Sequence, residues 1–165
     1  MGQQAGMAVV GVGMLLGCGG LSLPGSQNSD GVPDWLKSQS SGAWYCEVQP
    51  HAGSADSPHG NHRVCTNSLT SDNTGGPYEV GAAAMLQTFG ANDQQTAMGY
   101  LRKVLAGSKA AAFFWYANED GHEVANGLGS DGRPAACGVC HQTAGSDTQH
   151  PGHDFIFVQV KPPPP

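Results

Sequence analysis

The sequence predicts a mainly β domain, an antiparallel β-sheet accompanied by a few short helices. Two observations predict it. The apolar runs are short and separated by turn residues. The strongest of them, "KAAAFFWYAN" (109–118) and "HDFIFVQV" (153–160), are rich in aromatic and β-branched side chains. No long, well-capped amphipathic helix interrupts them.

Taken in order, the chain opens with "MGQQAGMAVVGVGMLLGCGG". Residues Ala8 to Gly17 form an uncharged run with the length of a secretory h-region, too short to span a bilayer as a helix. The run ends in Leu15-Leu16-Gly17-Cys18, which resembles the lipobox of bacterial lipoproteins; the resemblance implies cleavage before Cys18 and a lipid on its sulfur. No Lys or Arg precedes Lys37, so the usual basic n-region is missing. Residues 1–17 therefore read as an export signal. The expected location is the bacterial cell envelope, periplasmic or anchored as an outer-membrane lipoprotein. Residues 18–43, rich in Gly, Ser, Pro, Asn and Asp, read as a flexible tether. Residues 44–160 form the globular domain, and 161–165 a proline-rich tail.

Within the domain, "NHRVCTN" (61–67) reads as a short strand, and "PYEVGAAAMLQTF" (77–89) follows the breaker "SDNTGGP". "TAMGYLRKVLAG" (96–107) fits two patterns. Met98, Leu101 and Leu105 suit a helix, while Gly99 and the Tyr100/Arg102/Val104 alternation suit a strand. "NEDGHEVANGLGSDGRP" (118–134) reads as a Gly- and Asp-rich connection.

The chain has five cysteines. With Cys18 lipidated and Cys137 and Cys140 forming a Cys-x-x-Cys pair, Cys46 and Cys65 remain as a disulfide for an oxidising compartment. The loop it closes would contribute about 3 kcal/mol.

Three chemistries compete for "CGVCH" (137–141). A structural zinc site needs four ligands, and only one Cys-x-x-Cys knuckle exists, with His150 and His153 downstream as a second pair. A thioredoxin-type dithiol wants its cysteines at the start of a helix directly after a buried strand. The strand-like "AAAFFWYA" ends some twenty residues too early, and neither reading uses His141. Covalent attachment of haem uses all three residues: two thiols for the porphyrin vinyl groups, and the next histidine as axial iron ligand. One haem c is thus the expected cofactor. Ordinary small cytochromes c are mostly helical and carry this motif near the chain start; here it lies near the end, which fits a β-rich haem protein better.

The net charge is −6, and 12 % of residues are charged against about 25 % in an average domain. That argues against nucleic acid, which selects a basic surface, and is compatible with a basic redox partner protein.

Four stretches, "SPHGNHRVCTN" (57–67), "YEVGAAAMLQTFG" (78–90), "MGYLRKVLAGSKAAAFFWYANED" (98–120) and "CGVCHQTAGSDTQHPGHDFIFVQV" (137–160), resemble in that order the cytochrome P-460 family. That family includes the cytochrome c′-beta proteins. The most specific piece is the ending, a haem motif followed by Asp154-Phe155-Ile156-Phe157. The resemblance implies an antiparallel β domain with haem at one end, attached through Cys137 and Cys140 and ligated by His141. It implies a small gaseous or nitrogenous ligand, such as nitric oxide or hydroxylamine, and often a homodimer. Hydroxylamine-oxidising members cross-link a lysine to the porphyrin, but "GAAAMLQTF" contains none; the lysines present are Lys37, Lys103, Lys109 and Lys161. Gas binding is therefore favoured over oxidation, and whether the protein is an enzyme stays open.

The distal side of the iron decides between these roles. Met85, Phe89, Phe113 and Phe114 are candidates for an apolar cap, and Met85 or Met98 for a sulfur ligand. His51, His59, His62, His122, His150 and His153 are candidate sixth ligands, and Tyr100, Arg102 and Glu119 candidate distal hydrogen-bonding groups. An electron-transfer cytochrome with a sixth protein ligand and a zinc- or disulfide-stapled envelope domain without haem stand as alternatives.

Overall fold

In the computed structural model, residues 44–53, 57–144 and 154–162 are described. The export signal, Cys18, the tether, His150 and His153 lie outside the described residues. No helix among the described residues is long and apolar enough to cross a membrane.

The core is one antiparallel sheet. Its strands are β1 (Trp44–Cys46), β2 (His51–Ala52), β3 (Asn61–Asn67), β4 (Ala83–Phe89), β5 (Gln95–Lys103), β6 (Phe113–Glu119) and β7 (His122–Leu128). The order is β1-β3-β4-β5-β6-β7, with β2 continuing the β1 edge alongside β3. From β3 onward each strand pairs with its neighbour in sequence. The ambiguous segment 96–107 resolves as strand β5, because Tyr100, Arg102 and Val104 alternate against Leu101 and Lys103. Tyr100 and Leu101 are buried on opposite faces. β7 occupies a stretch whose composition reads as a connection. Asp120 and Gly121, both at positive φ, make the two-residue turn that folds it onto β6.

β6 carries the two-sided core. Phe113 and Trp115 pack on one face with Leu101, Tyr78, Ala82, Phe155 and Ile156. Phe114 and Tyr116 pack on the other with Ala83 and Tyr100. The first face lies beneath helix α2 (Gly132–His141) and the C-terminal segment 154–162. A short helix α1 (Ser68–Ser71) follows β3, capped by Asn67, whose side-chain oxygen accepts from the Thr70 amide.

The expected strand "HDFIFVQV" is corrected: among its described residues no ladder forms. Phe155 has φ +55, a left-handed conformation that is strained for a bulky side chain, and the Ile156 amide donates to the Asp154 carbonyl at 2.6 Å across it. This γ-turn breaks the extended run. The segment then acts as a strap over the sheet face, held by side chains. The Lys103 ammonium pairs with Asp154 at 2.6 Å, and the Val160 amide donates to Thr66 Oγ1 at 3.0 Å. Gln159 donates to the Thr70 and Asn73 carbonyls, and Lys161 to that of Ser71. Cys46 and Cys65 are paired residues on β1 and β3 and form a disulfide.

Candidate functional site

The last turn of α2 brings Cys137, Cys140 and His141 to the strap side of the sheet. The helix docks closely because two glycines allow it. A Cβ on Gly138 would lie 2.9 Å from Ala110 Cβ, and one on Gly129, just before the helix, 2.4 Å from the Ala110 carbonyl oxygen. Cys137 packs against the core cluster, while Cys140, three residues on, is exposed; both are free thiols. They sit at the C-terminal end of the helix, where the macrodipole disfavours a thiolate, and burial pushes the Cys137 thiol up. A thioredoxin-type nucleophile needs the opposite environment.

His141 is held from several sides. Its Nδ1 lies 2.7 Å from the Phe155 carbonyl, the group that the left-handed turn presents. The Trp115 ring meets the imidazole edge-on, with centroids 4.9 Å apart, and Phe157 packs at 5.3 Å. Donation from Nδ1 to the carbonyl leaves Nε2 as the lone-pair nitrogen, the arrangement found where a histidine binds a metal. Burial lowers the His141 pKa, favouring the neutral ring.

The sheet beneath is laid out in three rows, read from strand register. The first row is Thr66, Ala84, Leu101, Trp115 and Gly127; the second Val64, Leu86, Gly99, Ala117 and Ala125; the third His62, Thr88, Ala97, Glu119 and His122. Residues paired in register share a face, so all three rows face α2 and the strap. The middle row holds glycine, alanines and two aliphatic side chains. Leu86, Gly99 and Ala117 are only half-buried, so a low apolar floor lies between the tall Trp115 row and the polar third row. His59 stands near that third row, its ring 6.3 Å from His62 and 6.3 Å from His141.

The other sequence candidates are scattered. Met85, Met98, Tyr100 and Phe114 belong to the opposite face, and Arg102 pairs with Phe114 there. Phe89 lies under the Arg63 guanidinium at 5.9 Å. Phe113 shares the face of His141 but is filled by core contacts, stacking on Phe155 at 4.9 Å and under the Lys103 ammonium at 5.5 Å. His51 lies at the sheet edge with its Nε2 3.1 Å from Glu47; the Ala52 carbonyl and that carboxylate raise its pKa. Glu119 and His122 close the far end of the third row. Lys103 is tied to Asp154, Lys109 is exposed, and Lys161 bonds the Ser71 carbonyl.

Two residues that sequence reasoning did not single out complete the site: Trp115, which fixes the His141 ring, and Gly138, which lets the helix dock. Trp115 was visible only as one more aromatic in a strand run. Among the described residues, no group of three or more His, Cys, Asp or Glu is arranged to hold a metal ion. A haem makes no such demand, since the macrocycle supplies four nitrogens and the protein one or two axial ligands. Comparison with known protein families, curated proteins and solved structures gave no match.

Proposed function

We propose that this chain is an exported monohaem c-type cytochrome, similar to the cytochrome c′-beta branch of the cytochrome P-460 family, whose iron binds a small nitrogen species such as nitric oxide. Cys137 and Cys140 would hold the thioether bonds and His141 the axial bond. The observation that carries the reading is His141. Its Nδ1 is anchored on the Phe155 carbonyl and its ring is braced by Trp115 and Phe157, next to two free thiols and above an apolar floor. A bound haem supplies an iron with an axial position for a diatomic or nitrogenous ligand. The chain's own residues do the remaining work. Phe155 sets the tautomer and orientation of His141, Trp115 blocks rotation of its ring, and Leu86, Gly99 and Ala117 provide a surface free of competing polar groups.

Gas binding is favoured over hydroxylamine oxidation because "GAAAMLQTF" contains no lysine for a porphyrin cross-link and Lys103, on the neighbouring strand, is committed to Asp154. A lipid anchor on Cys18, an envelope location and a homodimer belong to the same proposal. Electron transfer to a redox partner is a second reading, favoured by the position of His59.

The test is an absorption spectrum of the protein from a host competent in haem attachment, ferric and dithionite-reduced, with and without carbon monoxide. A covalently held haem with α and Soret bands is expected. Absence of haem would overturn the reading and leave the disulfide-stapled envelope domain. A red-shifted ferrous band like that of the cross-linked family members would overturn the preference for gas binding over oxidation.

A further inference from the structure

His59 is an unusual side chain for its position. It is half-buried, yet among the described residues its ring makes no hydrogen bond; the His62 and His141 rings and the Glu119 carboxylate are its neighbours. Partly buried imidazoles normally find a partner for at least one nitrogen. His62 does so, its Nδ1 lying 2.9 Å from the Gly60 carbonyl, and His51 does so twice over.

The backbone around it is built to hold the ring there. The His59 amide donates to Ser57 Oγ at 3.3 Å, Gly60 takes φ +59, and the Gly53 amide donates to the Gly60 carbonyl at 2.8 Å. A Cβ on Gly53 would stand 3.0 Å from the Ser57 side chain, so the two ends of this loop touch with no room between them. The ring is thereby presented over the sheet face that carries the apolar floor. His141 leans on Trp115 from the first row and His59 on His62 from the third, and the floor of Leu86, Gly99 and Ala117 runs between them.

The decisive quantity is the separation. The His59 and His141 ring centroids are 6.3 Å apart with planes inclined at 62°. A metal bonded to one nitrogen of each of two imidazoles, at about 2 Å apiece, holds their ring centres roughly 6 Å apart. We propose that His59 and His141 are the axial pair of the haem iron, so that a diatomic gas binds only by displacing His59. The exchange breaks one iron–nitrogen bond and forms one bond from iron to the gas, with no net electron transfer and no proton required. This inference rests on the haem reading and adds to it a regulated entry step: the resting iron is closed, and only a ligand strong enough to compete with imidazole opens it.

The test uses the full-length holoprotein, His59→Ala, and His59→Phe as a variant that keeps the ring volume, with carbon monoxide as the probe. Wild type is expected to be six-coordinate and low-spin in both redox states, with a rate of carbon monoxide binding that saturates as gas concentration rises. Both variants are expected to have five-coordinate ferrous iron and a rate linear in gas concentration. Where His59 is detached in about one molecule in a hundred, removing it tightens apparent carbon monoxide affinity roughly 100-fold. Added imidazole should restore the six-coordinate spectrum of His59→Ala, and His62→Ala should keep the wild-type spectrum. A haem protein that is five-coordinate when wild type, or whose spectrum is unmoved in both His59 variants, overturns the axial pair while leaving the cytochrome reading in place. A protein without haem overturns both.

Discussion

Replacing Asp154 by alanine leaves the Lys103 ammonium buried without its partner. The Lys103 side chain is 3 % exposed and that of Asp154 10 %, with nitrogen and oxygen 2.6 Å apart. The ring of Phe113 lies 5.5 Å from the ammonium. Removing one member of such a pair costs about 3–5 kcal/mol, because the remaining charge keeps its desolvation penalty. The slight exposure of Asp154 places the expected loss near the lower end, about 3 kcal/mol. For a domain of this size that corresponds to a fall in Tm of roughly 10 °C. Urea unfolding followed by tryptophan fluorescence measures the loss, and the double variant Lys103→Met/Asp154→Leu supplies the control. Since both charges are then gone together, its stability should return to within about 1 kcal/mol of wild type. A loss in Asp154→Ala of under about 1 kcal/mol would mean that the pair behaves as an exposed one and would refute this account of how the strap is held. So would a double variant as unstable as the single.

Three further outcomes follow from the fold. Replacing Cys46 and Cys65 together by alanine should lower stability by about 3 kcal/mol, read as a lower urea midpoint, since the bridge restricts a loop of sequence separation 19. Gly129→Ala should cost more than about 2 kcal/mol, or prevent folding, because its Cβ would sit 2.4 Å from a backbone oxygen that cannot give way; thermal melts decide it. His51 should titrate above about 6.5 by NMR, and Glu47→Gln should lower its midpoint only in part, because the Ala52 carbonyl is the larger cause. The charged ring is favoured in the folded state. Its small contribution is therefore complete below the unfolded pKa and disappears as pH rises through the folded one.

The β class was legible because Phe113–Tyr116 is buried on both faces, and a strand buried on both sides reads as a continuous apolar run. The Cys46–Cys65 bridge was legible by elimination among five cysteines. β7 was hidden because "HEVANGL" is polar and at the sheet edge, although the Asp-Gly turn before it is a hairpin signal open to reading. "HDFIFVQV" has the composition of a strand, yet composition carries no trace of the left-handed Phe155 that sends it across the face. The cap candidates illustrate a different barrier. Met85 and Phe114 are one residue away from Ala84 and Trp115, which face α2, and a one-residue shift reverses the face. The sequence does not state register, so it did not rank His59 above the other histidines.

The strap also has a consequence for the order of assembly. The sheet from β3 to β7 is a meander of neighbouring hairpins, whereas the bonds fastening Gln159 and Val160 to the α1 corner join residues 86 to 94 positions apart. Contacts between near neighbours form early, and those with the largest loop to close form last. The meander can therefore be complete while its apolar floor is still uncovered by the strap. The haem proposed above would have its widest access in that interval, before the strap closes over the face.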